Sequence, residues 1–156
     1  MVENVELAWL AGFVDGDGSI GLKRSKSIKS KGGIRYSPLI QITNCDMKLI
    51  AEVRFLLGKL NIRHSYWLRD MKKRNLKWRN AGNISIYTWI DSILFLEFIL
   101  PYLVGKKEQA EVLIEFCKTR IGGRRHNNFG KFISTQTGKE KYYWEKLHQL
   151  NHKGKR

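Results

Sequence analysis

The sequence predicts an α+β domain with the element order α-β-β-α-β-β-α-α, in which helices back an antiparallel four-stranded sheet. Two kinds of pattern lead there. Apolar residues recur at helical spacing around residues 7–17, 47–60, 88–103 and 105–121. Between the first and third of these, apolar and polar residues alternate with a period of two, which marks strands with one buried face. The alternating stretches fall in two pairs, each joined by a basic turn, and read as hairpins.

The chain is organised around Leu7–Ile20, LAWLAGFVDGDGSI. Ala8, Gly12 and Gly16 stand four residues apart and so share one helical stripe, narrow enough for another backbone to approach closely. Leu7, Leu10, Ala11 and Val14 supply apolar groups around it. The apolar run is half the length a bilayer needs, and aspartates end it. In the DGDG tail, Gly16 and Gly18 are expected to break the helix and leave Asp17 just past its end. The last carbonyls of a helix lack intrahelical partners and carry the negative end of its dipole. A carboxylate beside them calls for a cation, so the tail has the character of half a hard-metal site.

Ile20 and Leu22 alternate with Gly21 and Lys23, giving the first strand. Lys23–Gly33, KRSKSIKSKGG, follows as a basic turn. The second strand spans Ile34–Thr43, with Ile40 and Ile42 on one face and Arg35, Ser37, Leu39 and Gln41 on the other. Pro38 marks it as an edge or irregular strand. Asn44 or Asp46 starts the next helix as its N-cap, and Leu49, Ile50, Val53, Leu56, Leu57 and Leu60 form its apolar face. In the third strand Arg63, Ser65, Trp67 and Arg69 alternate with Ile62, His64, Tyr66 and Leu68. In the fourth, Lys77, Arg79, Ala81, Asn83 and Ser85 alternate with Trp78, Asn80, Gly82, Ile84 and Ile86. Thr88–Leu103, interrupted near its end by Pro101, reads as core, and Ala110, Leu113, Ile114 and Cys117 as the buried positions of the helix after it.

The core domain is drawn at 1–121 and a basic C-terminal extension at 122–156. Within the extension, Glu140–Leu150 forms an amphipathic helix with Tyr143, Trp144, Leu147 and Leu150 inward. Arg124 and Arg125 sit in a turn-rich loop. They belong either to a solubilising tail or to an arm that reaches phosphates.

With 29 Lys+Arg against 14 Asp+Glu, the 156-residue chain carries a net charge of +15, which points to a polyanionic partner. The charge is clustered: residues 23–35 hold six basic and no acidic residues, and residues 63–79 hold seven basic residues against Asp70. A merely solvated sheet face mixes both signs, whereas this one lacks acids. Its Arg, Asn and Gln side chains have the forked heads that read guanine and adenine edges in the major groove. The candidate DNA-facing set is therefore Lys23 and Ser25 from the first basic turn and, from the strands, Arg35, Ser37, Gln41, Arg63, Ser65, Trp67, Arg69, Lys77, Arg79, Asn83 and Ser85. Cys45 and Cys117 are far apart with no CxxC, which suits a reducing compartment and argues against zinc. No secretory leader or membrane span is read, so an intracellular site, cytoplasmic or organellar, is expected; neither a membrane nor a small-molecule substrate is implied.

Leu10–Gly18, LAGFVDGDG, resembles the nine-residue motif of the LAGLIDADG homing endonucleases. The resemblance extends over residues 7–117 through motif position and element order. It implies a homing-endonuclease-like fold and, with a single motif, a homodimer joined through the motif helix by Ala8, Ala11, Gly12 and Asp15. It also implies site-specific double-strand cleavage of a long, roughly palindromic DNA target. Mg²⁺ is the implied cofactor, with Mn²⁺ substituting and Ca²⁺ supporting binding without cleavage. By motif position, Asp17 and the Gly16 carbonyl become metal ligands. Asn44 takes the place of a solvent-ordering polar residue, Lys106 that of the active-site lysine, and Lys48 that of a basic residue near the scissile phosphate. An RNA-splicing maturase or DNA-binding module on the same fold is the alternative, alone or beside cleavage. A basic structural RNA-binding protein would account for the charge but not for the DGDG helix end.

Overall fold

The computed structural model describes residues 2–28, 33–70, 73, 76–77, 79–122, 125–126, 132–133 and 139–152. The first helix, α1, spans Asn4–Asp17 and opens with a capping box between Glu3 and Glu6. It ends one residue later than the glycines suggest: Gly16 stays helical, Asp17 is the last helical residue, and the Gly18 N–H closes the turn onto the Val14 carbonyl. Only glycine fits position 18, because a Cβ there would lie 2.6 Å from the Val14 oxygen.

Strands β1 (Gly18–Lys26), β2 (Ile34–Asn44), β3 (Ser65–Arg69) and β4 (Ala81–Ile86) form one antiparallel sheet in the order β1-β2-β4-β3. The β1–β2 ladder is longer than the apolar alternation marks, since β1 runs through Lys23 to Lys26. Although β2 is an inner strand, β4 ends at Ile86 opposite Ile40, so Pro38 lies where β2 pairs with β1 alone. β4 is buried along its whole length and is shorter than the alternation implies, beginning at Ala81. A close approach fixes Gly82, where a Cβ would meet Ile50 Cγ2 at 2.9 Å.

Helix α2 (Met47–Lys59) is capped by Asp46, whose side chain accepts from the Lys48 N–H at 2.8 Å. Helix α3 (Trp89–Ile99), capped by Thr88, gives way at Pro101 to a single 3₁₀ turn, Leu100–Tyr102. Helix α4 (Lys107–Gly122) follows, then a short β5–β6 pair (Arg125–His126 with Phe132–Ile133) and α5 (Glu140–His152). One face of the sheet, built from Ile20, Tyr36, Ile40, Ile42, Ile84 and Ile86, shares a continuous core with the helices. Helix α5 joins that core through Tyr143, Leu147 and Leu150. It is tied to α4 by a buried Arg120–Glu140 ion pair at 2.8 Å and by the Tyr143 hydroxyl on Glu115 at 2.8 Å. Burial, with Glu115 beside it, pushes the Tyr143 phenol up to about 12. Among the described residues no helix is long and apolar enough to cross a membrane.

Candidate functional site

The exposed end of α1 gathers three polar side chains from three elements. Asp17 stands at the helix end. Asn44, at the end of β2, donates its Nδ2 to Asp17 Oδ2 at 2.7 Å. Its Oδ1 accepts from the Asp46 N–H at 2.6 Å, which fixes the direction of the amide. With Asp46 as the α2 cap, Asn44 is left to face Asp17. Lys106, directly before α4, reaches back to α1 and donates its Nζ to the carbonyls of Val14 (3.0 Å) and Asp15. An ammonium there answers the negative end of the helix dipole. Desolvation holds the Lys106 amine below the usual lysine range, and the carboxylates of Asp15 and Asp17 oppose that shift.

Asp15 holds this lysine in place. Its Oδ2 accepts from the N–H groups of Val104 (2.8 Å) and Gly105 (3.1 Å), and its Oδ1 from that of Lys106 (2.8 Å). One carboxylate thus fixes the loop that leads into α4. Among the described residues no three His, Cys, Asp or Glu side chains converge to hold a metal, so a single protomer offers one exposed carboxylate, Asp17, and the nearby backbone oxygens.

The stripe of small residues that leads to Asp17 faces outward. Ala8, Gly12 and Gly16 are exposed, and a Cβ on either glycine would meet nothing within 4 Å. Val5, 77% exposed, continues the stripe towards the helix start. Beside it the Lys59 ammonium of α2 binds Glu6 of α1 at 2.6 Å and lies over the exposed Phe55 ring.

The other face of the sheet is a concave groove of about 670 Å³. It is lined by Lys23, Ser25, Arg35, Ser37 and Gln41 from the first hairpin and by Ser65, Trp67 and Ser85 from the second. The ladder sets Ser19, Gln41, Ser85 and Ser65 in one row across all four strands, and Thr43, Asn83 and Trp67 in the next.

A family profile described as a LAGLIDADG-like domain matches residues 4–99, from the start of α1 to the end of α3. The chain belongs to the LAGLIDADG family. No curated protein sequence matches it. Among solved structures, the homing endonuclease I-CvuI, crystallised with DNA targets, aligns over 97% of this chain and 85% of its own with a TM-score of 0.69 at 18% identity. The archaeal intron-encoded I-Vdi141I, solved complexed with DNA, aligns over 99% and 89% with a TM-score of 0.70 at 16% identity. The meganuclease I-SmaMI aligns over 96% of this chain but only 45% of its own, with a TM-score of 0.62 at 19% identity. At these identities the likeness establishes the fold, and the element order read from the sequence is the LAGLIDADG one.

The geometry corrects several assignments. On the LAGLIDADG helix, Ala11 is fully buried in the protomer core, and Asp15 is turned to the 104–106 loop; neither lies on the exposed stripe. Asn83 and Ser85 are each 3% exposed because β4 is flanked on both sides; Ser85 lines the groove, and Asn83 is buried beside it in the next row of the same sheet face. Lys77 and Arg79 are exposed but precede β4, outside the ladder. Arg63 precedes β3, where its Nε binds the buried Asp91 carboxylate at 3.0 Å. Arg69 at the end of β3 is exposed and outside the groove lining, while Lys48, assigned to the scissile phosphate and not to the groove, is exposed in the first turn of α2. Arg124 lies outside the described residues, and of Arg125 only the backbone, in β5, is described.

Sequence reasoning missed Tyr87 and Trp89, which line the groove from the start of α3. The signal was the N-cap Thr88, which makes its two neighbours the junction between sheet and helix.

Proposed function

We propose that this LAGLIDADG protein is a site-specific, Mg²⁺-dependent DNA endonuclease that cuts both strands of a long, roughly palindromic duplex as a homodimer. The observation that carries the reading is the convergence of Asp17, Asn44 and Lys106 at the open end of α1, where the exposed small-residue stripe ends. Two copies joined along Ala8, Gly12 and Gly16 would bring two Asp17 carboxylates to one seam, one for each strand. The groove supports the DNA half of the reading: its cations and forked amides sit on a chain of net charge +15. I-CvuI, of the same fold, was crystallised with a DNA target in the presence of Mg or Ca.

Phosphodiester hydrolysis needs an activated water, a stabilised leaving oxygen and a partner for the negative charge of the transition state. The donor set is hard oxygen, the class that Mg²⁺ prefers. Asp17 and the Gly16 carbonyl would hold the ion, which supplies charge neutralisation and an acidified water. Asn44 then orients Asp17 through its Nδ2, and Lys106, already desolvated, faces charge that grows on the phosphate. Lys48, exposed beside Asn44, serves the phosphate backbone.

The experiment is selection of cleaved fragments from a long-duplex library in Mg²⁺, with Ca²⁺ and EDTA controls, by the wild type and by Asp17→Asn. Discrete double-strand cuts by the wild type alone, with Ca²⁺-supported binding retained in Asp17→Asn, are expected. Cleavage by Asp17→Asn would falsify the assignment.

A further inference from the structure

Asn83 is buried beside the groove, where it donates one hydrogen bond and accepts another. Its Nδ2 donates to Thr43 Oγ1 at 2.8 Å, and its Oδ1 accepts from Gln41 Nε2 at 3.3 Å. In this arrangement the Thr43 hydroxyl accepts, and the oxygen is what Asn83 turns to Gln41. Gln41 therefore meets Asn83 with its NH₂ group, not with its carbonyl. Gln41 itself is half-buried and lines the groove. Its row neighbours, Ser19, Ser85 and Ser65, are all short.

We propose that Asn83 is a specificity-positioning residue that turns Gln41 to present an adenine-reading edge to DNA in the groove. The inference rests on the DNA-binding reading of that groove. Gln41 Nε2 carries two hydrogens and Asn83 takes one. What remains is one acceptor, Oε1, and one N–H donor on the same amide. Adenine shows the complement in the major groove, the N6–H donor beside the N7 acceptor. Guanine shows two acceptors there, O6 and N7, so this orientation would set Oε1 against O6. The reversed glutamine would offer two N–H groups and favour guanine instead. Asn83 never touches the base; it selects between the two orientations.

The test uses the full chain, Ca²⁺ and a pool of randomised DNA duplexes, with bound sequences recovered and their base preferences compared. The wild type should enrich a motif with a strong adenine at one position of each half-site. Gln41→Ala and Asn83→Ala should both flatten that position by on the order of tenfold and leave the other positions in place. Asn83→Asp, which keeps an acceptor for Gln41, should retain the adenine. Thr43→Val leaves Asn83 in place but frees its amide to turn, and should broaden the same position towards guanine; this variant decides the question if Asn83→Ala fails to fold. Retention of the full preference in Asn83→Ala or Thr43→Val, at a position that Gln41→Ala flattens, overturns the inference. So does a different preferred base at that position. A wild type that enriches no sequence overturns the DNA-binding reading itself, and the inference with it.

Discussion

Asp15→Ala removes one carboxylate from three backbone donors at once. The N–H groups of Val104, Gly105 and Lys106 lose an acceptor now 2.8–3.1 Å away. Loss of an ordinary helix N-cap costs about 1 kcal/mol, and up to about 2 at a strong cap. A carboxylate also gains from the positive end of the α4 dipole, about 0.5 kcal/mol where it is partly exposed. Water takes over some of the donors, so the sum comes to about 2 kcal/mol. For a chain of this size that lowers Tm by roughly 4–8 °C. Asp15→Asn keeps one carbonyl oxygen and should lose about half as much. The same change loosens the backbone that aims Lys106 at α1, and it removes a carboxylate that opposes the downward shift of the lysine. Cleavage should therefore fall further than DNA affinity does. Thermal unfolding, paired with Ca²⁺-supported binding and Mg²⁺-supported cleavage, reads all three quantities. An Asp15→Ala protein with the wild-type Tm would refute the capping argument. One that lost Tm but cleaved at the wild-type rate would refute the link to Lys106.

Gly82→Ala drives a methyl to within 2.9 Å of Ile50 in the core and should cost about 1–3 kcal/mol in denaturant unfolding. Glu140→Ala removes the carboxylate 2.8 Å from the Arg120 guanidinium, whose side chain is 10% exposed; a loss of about 3 kcal/mol and faster proteolysis at α5 are expected. Tyr143 has a folded pKa of about 12 against an ordinary 10.0, so its contribution is present below pH 10 and is lost as pH rises towards 12. Tyr143→Phe should therefore flatten the alkaline fall of Tm across that window. Lys106 has the opposite sign. Its depressed pKa means that the unfolded chain binds the extra proton, so stability rises with pH through the interval just below the ordinary lysine range. Lys106→Met should lose that rise, as a series of melts at alkaline pH would show.

Local pattern made most of the fold legible. The α1 motif, the two hairpins, the break at Pro101 and the inward face of α5 all depend on residues within a few positions of one another. What stayed hidden depends on strand order. Asn83 and Ser85 alternate with Ile84 and Ile86 and therefore read as an open polar face; they are buried because β4 lies between β2 and β3. Lys77 and Arg79 continue the same alternation, but β4 pairs with its neighbours only from Ala81. Asp15 belongs to the dimer joint by motif position, and nothing local reveals its partners, which lie some ninety positions away at Val104–Lys106. Ala11 belongs to the dimer joint by motif position, but it is fully buried, and residue size alone cannot say which side of α1 meets the core. Asp17, Asn44 and Lys106 were each assigned separately by motif position, and they do converge.

The exposed glycines of α1 allow stability and association to be separated. Inside one protomer Gly12 has no structural duty, since a Cβ there meets nothing within 4 Å, and glycine in mid-helix costs about 1 kcal/mol relative to alanine. Gly12→Ala should therefore raise the Tm of an isolated protomer by a few degrees. If a second α1 crosses at this stripe, the same methyl separates the two backbones, and Gly12→Leu does so by a full side chain. The two Asp17 carboxylates, little more than a helical turn beyond Gly12, would then move apart as well. Sedimentation equilibrium should show weaker self-association for both variants, more so for leucine, and cleavage should fall in the same order while α1 itself becomes more stable. A gain in protomer stability with a loss of activity is hard to produce by damage to the fold, so the pair of measurements isolates the crossing. A Gly12→Leu protein that still associates and cuts like the wild type would mean that the small residues of α1 answer to something other than a second copy of the chain.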